Sequence, residues 1–493
     1  MMTDRNKKIL IIVSLILFAL SIRLFPPLDR HGLNMMEIDY INWGKNLKGY
    51  EFISNSIVNH HGLISPYIIK FWLNLPVIKN YDFHTRLLSI IFFFILIGLV
   101  LLLTYRDLTF KERVISGFFL SINCMLVAFS RNGRLLPLFA LLVFIIAIYL
   151  YRNLIEPDKK NAVLLFVFST LSLFNHPLST IFITSIVISA VLVFGINKSF
   201  IKGILPLIIS GLFYLPIFIW YIQYGRTENE LLPIDKKIIL SWIVFLFDDI
   251  DTLLIIAFLL PISKAMRDIK SNIVEIGQNR FVRFMVLNVF TGLLLIITIS
   301  IFLPLTRQYY IIPLVVFSSI VMGALSSRMN NRVLIALILI LSIKAVISFC
   351  IADKNIFRFE SSFGPEKEVL NRFRNSDAYK NIQRDKAVFI NLPLYHTRAF
   401  DYYKETGERH LPEMNKFADY EEVLNPTQIA SLKDENSIYL IQWRECNKLM
   451  DLYQQKLCNI NFNILKTQFN RWEMIWEYKH KLGFTTKMYH LKN

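Results

Sequence analysis

The chain has 493 residues, 54% of them hydrophobic, a formal net charge of +17 and a mean hydropathy of +0.45. A soluble domain of this length does not carry so large an apolar fraction. Long apolar runs, each near the ~20 residues that cross a bilayer, explain the composition and predict an α-helical polytopic membrane protein. The positive charge does not indicate a nucleic-acid partner, because lysines and arginines lie mostly between the apolar runs, where they orient a membrane protein.

Residues 1–22 resemble a signal peptide, but no small-residue cleavage site follows them, so we expect an uncleaved first span. A shorter apolar segment, 238–247, precedes a group of aspartates and is expected to be an interfacial helix. About eleven transmembrane helices are predicted, at approximately 9–25, 87–104, 114–129, 135–151, 162–174, 178–194, 204–222, 251–263, 284–303, 310–326 and 333–350.

The charged loops predict the orientation of these spans. With the N-terminus in the cytoplasm, every predicted inner loop is basic, as the positive-inside rule requires. The first loop, 26–85, and the tail then lie outside the cytoplasm, in a multi-pass protein of the inner or plasma membrane. The inner-loop cations are Arg106, Lys111, Arg113, Arg152, Lys159, Lys160, Lys198, Lys202, Lys264, Arg267, Lys270, Arg280, Arg283, Arg328 and Arg332.

Residues 351–493 are expected to form a separate soluble domain after a transmembrane module, 1–350. Short apolar strands at 386–391, 437–441 and 485–491 alternate with helices at 365–373 and 445–457, a pattern typical of a small α/β unit. Cys446 and Cys458 would lie roughly 18 Å apart along one helix, so we expect no disulfide between them. The tail's aromatic side chains suit sugar stacking, although ordinary packing explains most of them equally well.

Two carboxylates, Glu37 and Asp39, follow the first span at the predicted outer rim of the membrane. An acid at that depth is costly unless it has a role. On a strand both would share a face, whereas on a helix only one would point to a given site. Spacing alone also fits two solvated loop acids.

Several arginines lie at predicted outer helix ends, where the positive-inside rule disfavours positive charge. Interfacial contact with lipid phosphates explains any single one. Together they suit capture of a phosphate group, because guanidinium binds phosphate in a fixed two-pronged geometry. The candidate phosphate-binding residues are Arg86, Arg131, Arg134, Arg307 and the neighbouring Tyr309.

Other polar residues in predicted outer loops are candidates for substrate binding. The histidines do not have the spacing of a metal site, so we assign no metal ligands, although a divalent metal remains an open possibility. The acidic cluster at 248–251 fits a cation, sugar hydroxyls or a hydrated helix cap. The candidate substrate-binding residues are His60, His61, His176, Asp248 and Asp249.

Five stretches resemble motifs of one family. They are residues 36–40 (MEIDY), 83–89 (FHTRLLS), 130–134 (SRNGR), 173–177 (LFNHP) and, more loosely, 307–313 (RQYYIIP). In this order and on one predicted side, they are similar to motifs of the GT-C superfamily of membrane glycosyltransferases. Within it, the chain resembles protein O-mannosyltransferases and the lipid A aminoarabinose transferase.

The resemblance implies an inverting transfer of a sugar from a polyprenyl-phosphate donor to a glycan, lipid or protein acceptor outside the cytoplasm. It also implies that a carboxylate of the first loop acts as base. One position departs from the family, because Met36 stands where its motif begins with Asp. Either Glu37 or Asp39 takes that role, or catalysis has been lost. A carrier of lipid-linked sugars is the alternative class, but the chain shows no repeated halves.

Overall fold

The computed structural model describes a helical chain followed by a small sheet. The described residues are 3–25, 27–28, 37–38, 40–41, 62–75, 81–224, 236–262, 277–302, 308–351, 366–380, 382, 387–392, 424, 426–427, 437–443, 445–446, 452–479 and 485–492. The chain divides into two compact units, the first formed by 1–28 with 40–359 and the second by 29–39 with 360–493.

The first unit consists of helices, and a helix lies at each of the eleven predicted spans. A 3₁₀ turn, Gln308–Ile311, precedes the thirteenth helix, and a π-helical turn, Ile347–Ile351, follows the fourteenth. The helices are α1 (Asp4–Leu24), α2 (Ile64–Leu73), α3 (Tyr81–Leu103), α4 (Phe110–Ile122), α5 (Cys124–Ser130), α6 (Leu136–Ile155), α7 (Lys159–Asn175), α8 (Ser179–Phe194), α9 (Lys198–Tyr224), α10 (Lys236–Leu246), α11 (Ile250–Ile262), α12 (Arg280–Phe302), α13 (Ile312–Ser326) and α14 (Asn331–Val346).

Six of the described helices are long and apolar enough to cross a membrane, and α4 with α5 makes a seventh if this bent pair is one span. Two further apolar helices, Ser179–Phe194 and Ile250–Leu259, are shorter. The protein is therefore a mostly helical, multi-span membrane protein. The segment expected at the interface is the helix α10.

Helices α4, α5, α6 and α13 form the centre of the first unit, since most of their residues are buried. Helices α9 and α14, by contrast, expose long apolar faces of the kind that lipid covers. The close approach of α13 to α4 depends on Gly323, where a Cβ atom would lie 2.0 Å from the hydroxyl oxygen of Ser116. Small residues allow such contacts between membrane helices.

Helices α4 and α5 meet at a sharp bend of 64°. Asn123 lies at the bend, and its side-chain oxygen accepts hydrogen bonds from the backbone N–H groups of Met125 and Leu126, both at 3.1 Å. These bonds satisfy donors that a new helix leaves without intrahelical partners. The bend therefore starts a short, separately capped helix that leads into residues 130–134.

The second unit contains a four-stranded mixed sheet with the helices α15 (Glu366–Arg374), α16 (Asp377–Lys380) and α17 (Leu452–Gln468). The strands are β1 (Ala387–Leu392), β2 (Ser437–Gln442), β3 (Arg471–Lys479) and β4 (Thr485–Lys492), in the spatial order β1-β2-β4-β3. β1 and β2 are parallel, whereas β4 is antiparallel to both of its neighbours. Three strands lie where we predicted them; β3 was not predicted.

The expectation that Cys446 and Cys458 remain apart is wrong. They form a disulfide, with their Cα atoms 5.5 Å apart. The expected helix over 445–457 does not hold them on one axis, because α17 begins only at Leu452 and Cys446 lies outside it. Both sulfur atoms are buried in the core of this unit with apolar residues of the sheet and of α17, including Ile390, Leu392, Leu440, Leu465 and Leu491.

Candidate functional site

The predicted arginine hairpin forms a tight connection between α5 and α6. Arg131 caps the C-terminus of α5, and the side chain of Asn132 accepts the backbone N–H of Arg134 at 3.0 Å. Leu135, which starts α6, has a φ of +53°, a left-handed conformation that is unusual for such a residue. Local hydrogen bonds and packing on every side therefore fix the direction of both arginines.

Arg134 joins this hairpin to the 3₁₀ turn before α13. Its guanidinium donates a hydrogen bond of 3.0 Å to the hydroxyl of Tyr309 and lies 4.4 Å from the centre of the Tyr309 ring. Its Nε atom has no hydrogen-bond partner among the residues that the structure describes. Arg134 keeps 7% of its surface exposed, compared with 1% for Arg131 and 0% for Arg86. Of these three arginines, Arg134 is therefore the least buried.

His176 brings a third turn to the same place. Its ring stacks on that of Phe139, with centres 4.6 Å apart, and its Nδ1 accepts the backbone N–H of Leu178 at 3.2 Å. Burial, together with the positive charge of Arg134, lowers the pKa of His176 to about 3. His176 is therefore a neutral hydrogen-bond acceptor at physiological pH.

The segment of the first loop around Gly62 is attached to this turn. Leu63 donates its backbone N–H to the carbonyl of Phe174 at 2.8 Å, and the Ser65 hydroxyl donates to the side chain of Asn175 at 2.7 Å. Gly62 lies against the backbone of Asn175 so closely that no side chain fits there. The segment that follows His60 and His61 is thus held at the turn that carries His176.

Two buried arginines bind the backbone where the chain leaves α1, and a third, Arg23, is buried in the last turn of α1. Arg131 donates to the carbonyls of Ile22 (3.3 Å) and Phe25 (2.6 Å), and Arg86 donates to that of Leu28 (2.6 Å). Arg23 lies on the ring of Phe93, 3.4 Å from its centre. Sequence reasoning missed Arg23, although it is another arginine at a predicted outer helix end and the same signal applies to it.

The remaining candidates divide into three groups. Asp248 and Asp249 are buried and paired with Lys344, and their role in substrate binding stays a prediction. Glu37 is buried, and its role as base also stays a prediction. The candidates Asp39, His60, His61 and Arg307 lie outside the described residues. Within the described ranges, no three His, Cys, Asp or Glu side chains form a group that could hold a metal ion.

Comparison with known proteins shows which fold carries this site. No family model and no curated protein matches the sequence. Among solved structures, the chain is similar to ArnT from Cupriavidus metallidurans in the apo state, with 12% identity over 97% of both chains and a TM-score of 0.60. ArnT bound to undecaprenyl phosphate matches with a TM-score of 0.57, at 12% identity over 99% of this chain and 98% of that one.

A second relative is the archaeal oligosaccharyltransferase AglB from Archaeoglobus fulgidus, in complex with an inhibitory peptide and a dolichol-phosphate. It matches at 12% identity, over 98% of this chain and 74% of AglB, with a TM-score of 0.50. ArnT and AglB are GT-C membrane glycosyltransferases. The chain therefore has the GT-C fold over nearly its whole length.

Proposed function

We propose that the protein is an inverting membrane glycosyltransferase that takes its sugar from a polyprenyl-phosphate donor. The observation that carries the proposal is the contact of Arg134 with Tyr309, which brings two predicted phosphate-binding residues together in a GT-C fold. The solved relatives bind undecaprenyl phosphate and dolichol-phosphate, so a lipid phosphate is the expected ligand.

In this proposal Arg134 binds the donor phosphate, because its Nε has no described hydrogen-bond partner and Arg134 is the least buried of the three arginines Arg86, Arg131 and Arg134. Tyr309 orients the guanidinium through the hydrogen bond to its hydroxyl. As the bond from the sugar to the phosphate breaks, negative charge grows on the leaving phosphate, and a fixed cation lowers the barrier. Arg307 is proposed to add to this charge.

The acceptor hydroxyl attacks the anomeric carbon as Glu37 or Asp39 takes its proton. The reaction takes place on the non-cytoplasmic side of the membrane, where the positive-inside rule puts the first loop. His176 accepts hydrogen bonds but does not act as an acid, because it is neutral. Arg86 and Arg131 hold the start of the first loop through its backbone carbonyls.

Two experiments test the proposal. Mass spectrometry of envelope glycans after gene deletion should reveal a missing sugar, and thereby the donor and the acceptor. Membranes with Glu37→Gln or Asp39→Asn are then assayed for its transfer. We expect one variant to lose activity; full activity in both rules out the proposed base.

Binding of the lipid phosphate is measured separately by native mass spectrometry of the purified protein. Undecaprenyl phosphate should bind more tightly than undecaprenol, and Arg134→Ala should abolish this preference. Arg106→Ala is the matched control, because Arg106 is exposed and pairs only weakly with Glu156 at 3.3 Å. Equal binding of the two lipids by the wild type would contradict a phosphate site and favour a scaffold without activity.

A further inference from the structure

A buried cluster of charges occupies the break between α10 and α11. Lys344 of α14 donates hydrogen bonds to the carboxylates of Asp248 (2.8 Å) and Asp249 (2.5 Å) and to the hydroxyl of Thr252 (2.5 Å). Both aspartates are buried, with 4% and 1% of their surface exposed. Charges within a membrane protein are costly and usually have a function. The proposed transfer does not by itself explain this cluster.

Asp248 connects α11 to the N-terminus of α5. Its carboxylate accepts the backbone N–H of Cys124 at 2.6 Å on one oxygen, and the Thr252 hydroxyl and Lys344 on the other. Its φ of +86° lies in the left-handed region that L-residues rarely adopt. Protein donors thus reach both carboxylate oxygens, and a strained backbone holds the side chain in this direction.

The α10–α11 break and the α4–α5 bend bind each other at a second point. Asn123 donates a side-chain hydrogen bond of 3.0 Å to the carbonyl of Phe245, while its oxygen caps α5. Asp248 satisfies the first backbone donor of α5, and Asn123 satisfies the next two. The first three backbone N–H groups of α5 are therefore satisfied by Asp248 and by Asn123 at the bend.

The other end of α5 carries the arginine hairpin. Every residue of Cys124–Ser130 is buried, and Arg131 caps the helix. At ~1.5 Å per residue, about 10 Å separates the Asp248 contact from the hairpin. A short helix packed on all sides moves as one body, so a displacement at Cys124 is transmitted to Arg131 and Arg134.

We propose that Asp248 is a positioning residue, which sets the place of Arg131 and Arg134 through α5 and is itself held by Lys344. The proposal rests on the proposed function, since it assigns Asp248 to the orientation of the phosphate-binding arginines. Errors of about 1 Å in the position of such groups cost on the order of 100-fold in rate. Lys344 supplies the opposite charge, because burying the two carboxylates without a cation costs a large amount of free energy.

The first test measures the start of α5 without any substrate. The full-length protein with Cys350→Ser has one free thiol, Cys124, since the other two cysteines form the disulfide. Labelling of Cys124 by N-ethylmaleimide should be about tenfold faster or more in Asp248→Ala, because the lost hydrogen bonds to a charged group no longer oppose local opening. Asp251→Asn, an exposed acid three residues away, is the matched control and should label like the wild type.

The second test asks whether Asp248 acts through Arg134. Binding of undecaprenyl phosphate is compared for Asp248→Asn, Arg134→Lys and the double variant. If Asp248 only positions Arg134, the double variant should bind no more weakly than Arg134→Lys, whereas independent roles would multiply the two losses. With a transferable donor, Asp248→Asn should lower kcat/KM by about 10-fold to 100-fold.

The outcomes of the two tests either support or overturn the positioning role of Asp248. Wild-type protection of Cys124 in Asp248→Ala, or multiplied losses in the double variant, overturns the proposal. If Asp248→Ala aggregates, Asp248→Gly carries the labelling comparison, because glycine adopts a positive φ without strain and still removes the carboxylate. If the wild type binds no undecaprenyl phosphate, the proposed function fails, and Cys124 labelling alone decides whether Asp248 holds α5.

Discussion

The contact of Gly62 with the Asn175 turn gives a sharp test of how this part of the first loop is held. A Cβ atom at position 62 would lie 1.5 Å from the carbonyl oxygen of Asn175 and 2.9 Å from the nitrogen of His176. Real Cβ contacts essentially never fall below 3.0 Å. The segment at Gly62 and the backbone of Asn175 must therefore move apart until the 1.5 Å contact reaches that limit. Because the atoms in the way belong to the backbone, no side-chain rotation relieves the clash.

In Gly62→Ala the separation breaks two hydrogen bonds, from Leu63 to Phe174 and from Ser65 to Asn175. Ser65 and Asn175 are buried, so each lost bond leaves polar groups without water. At about 1–2 kcal/mol for each bond, we expect a loss of about 2–4 kcal/mol. The apparent melting temperature in detergent, followed by tryptophan fluorescence, should fall by several degrees.

The matched control is Gly98→Ala. Gly98 lies within α3, where a Cβ atom meets nothing within 4 Å, and alanine in a helix is favoured over glycine by about 1 kcal/mol. This variant should melt at or above the wild-type temperature. If Gly62→Ala and Gly98→Ala melt together, the turn does not hold the loop and the contact does not matter.

Three further predictions concern separate parts of the molecule. Arg134→Lys should lower the rate of sugar transfer about 10-fold to 100-fold, because lysine lacks the planar guanidinium fork. Tyr309→Phe removes one hydrogen bond to Arg134 and should lower the rate of transfer about fivefold. His176 has a pKa of about 3, below its unfolded value, so the stability it contributes is present above about pH 6.5 and falls by about 2 kcal/mol by pH 5, an effect that His176→Gln should remove. Reduction of the Cys446–Cys458 disulfide should destabilise the second unit by about 3 kcal/mol and speed its proteolysis in the full-length protein.

Each of these has its own control. Arg106→Lys, at an exposed site, should transfer sugar like the wild type; equal losses in Arg106→Lys and Arg134→Lys would contradict a specific role. For His176, the melting temperatures of the wild type and His176→Gln are compared at pH 7 and pH 5, and parallel shifts would contradict a neutral buried imidazole. For the disulfide, the double variant Cys124→Ser with Cys350→Ser should keep wild-type proteolysis rates, because it leaves the bridge intact.

Hydropathy predicted the helices well because the property that selects them is local. A helix lies at each of the eleven apolar runs, and the separate short segment at 238–247 is the helix α10. Strand β3 escaped prediction because its sequence, RWEMIWEYK, mixes charged and aromatic residues, and as an edge strand it stays largely exposed. The disulfide escaped because its geometry depends on where α17 begins, and sequence patterns place element boundaries poorly.

The sequence predicts which kinds of residue surround the candidate site, but it does not predict which of them contact each other. Arg86, Arg131 and Arg134 were singled out because they lie on the predicted outer side, where the positive-inside rule disfavours arginine. The same argument applies to Arg23. Nothing in the sequence indicates that Lys344 pairs with Asp248, 96 positions away. A lone lysine in an apolar run and an acidic cluster in a loop each have simple local explanations, and only the packing of α14 against the α10–α11 break shows that they compensate each other.

The buried arginines also explain why the first loop starts from a fixed point. The last carbonyls of any helix have no intrahelical donor, and in a membrane helix water does not reach all of them. Arg131 donates to two of these groups at the end of α1, and Arg86 to a third just beyond it. The Arg131 side chain thereby provides hydrogen-bond donors to the carbonyls at the end of α1, and the backbone of the same residue caps α5 next to Arg134. The exit of the chain from α1 and the proposed phosphate-binding hairpin are thus parts of one hydrogen-bonded frame, which a lysine with a single ammonium group would hold less rigidly.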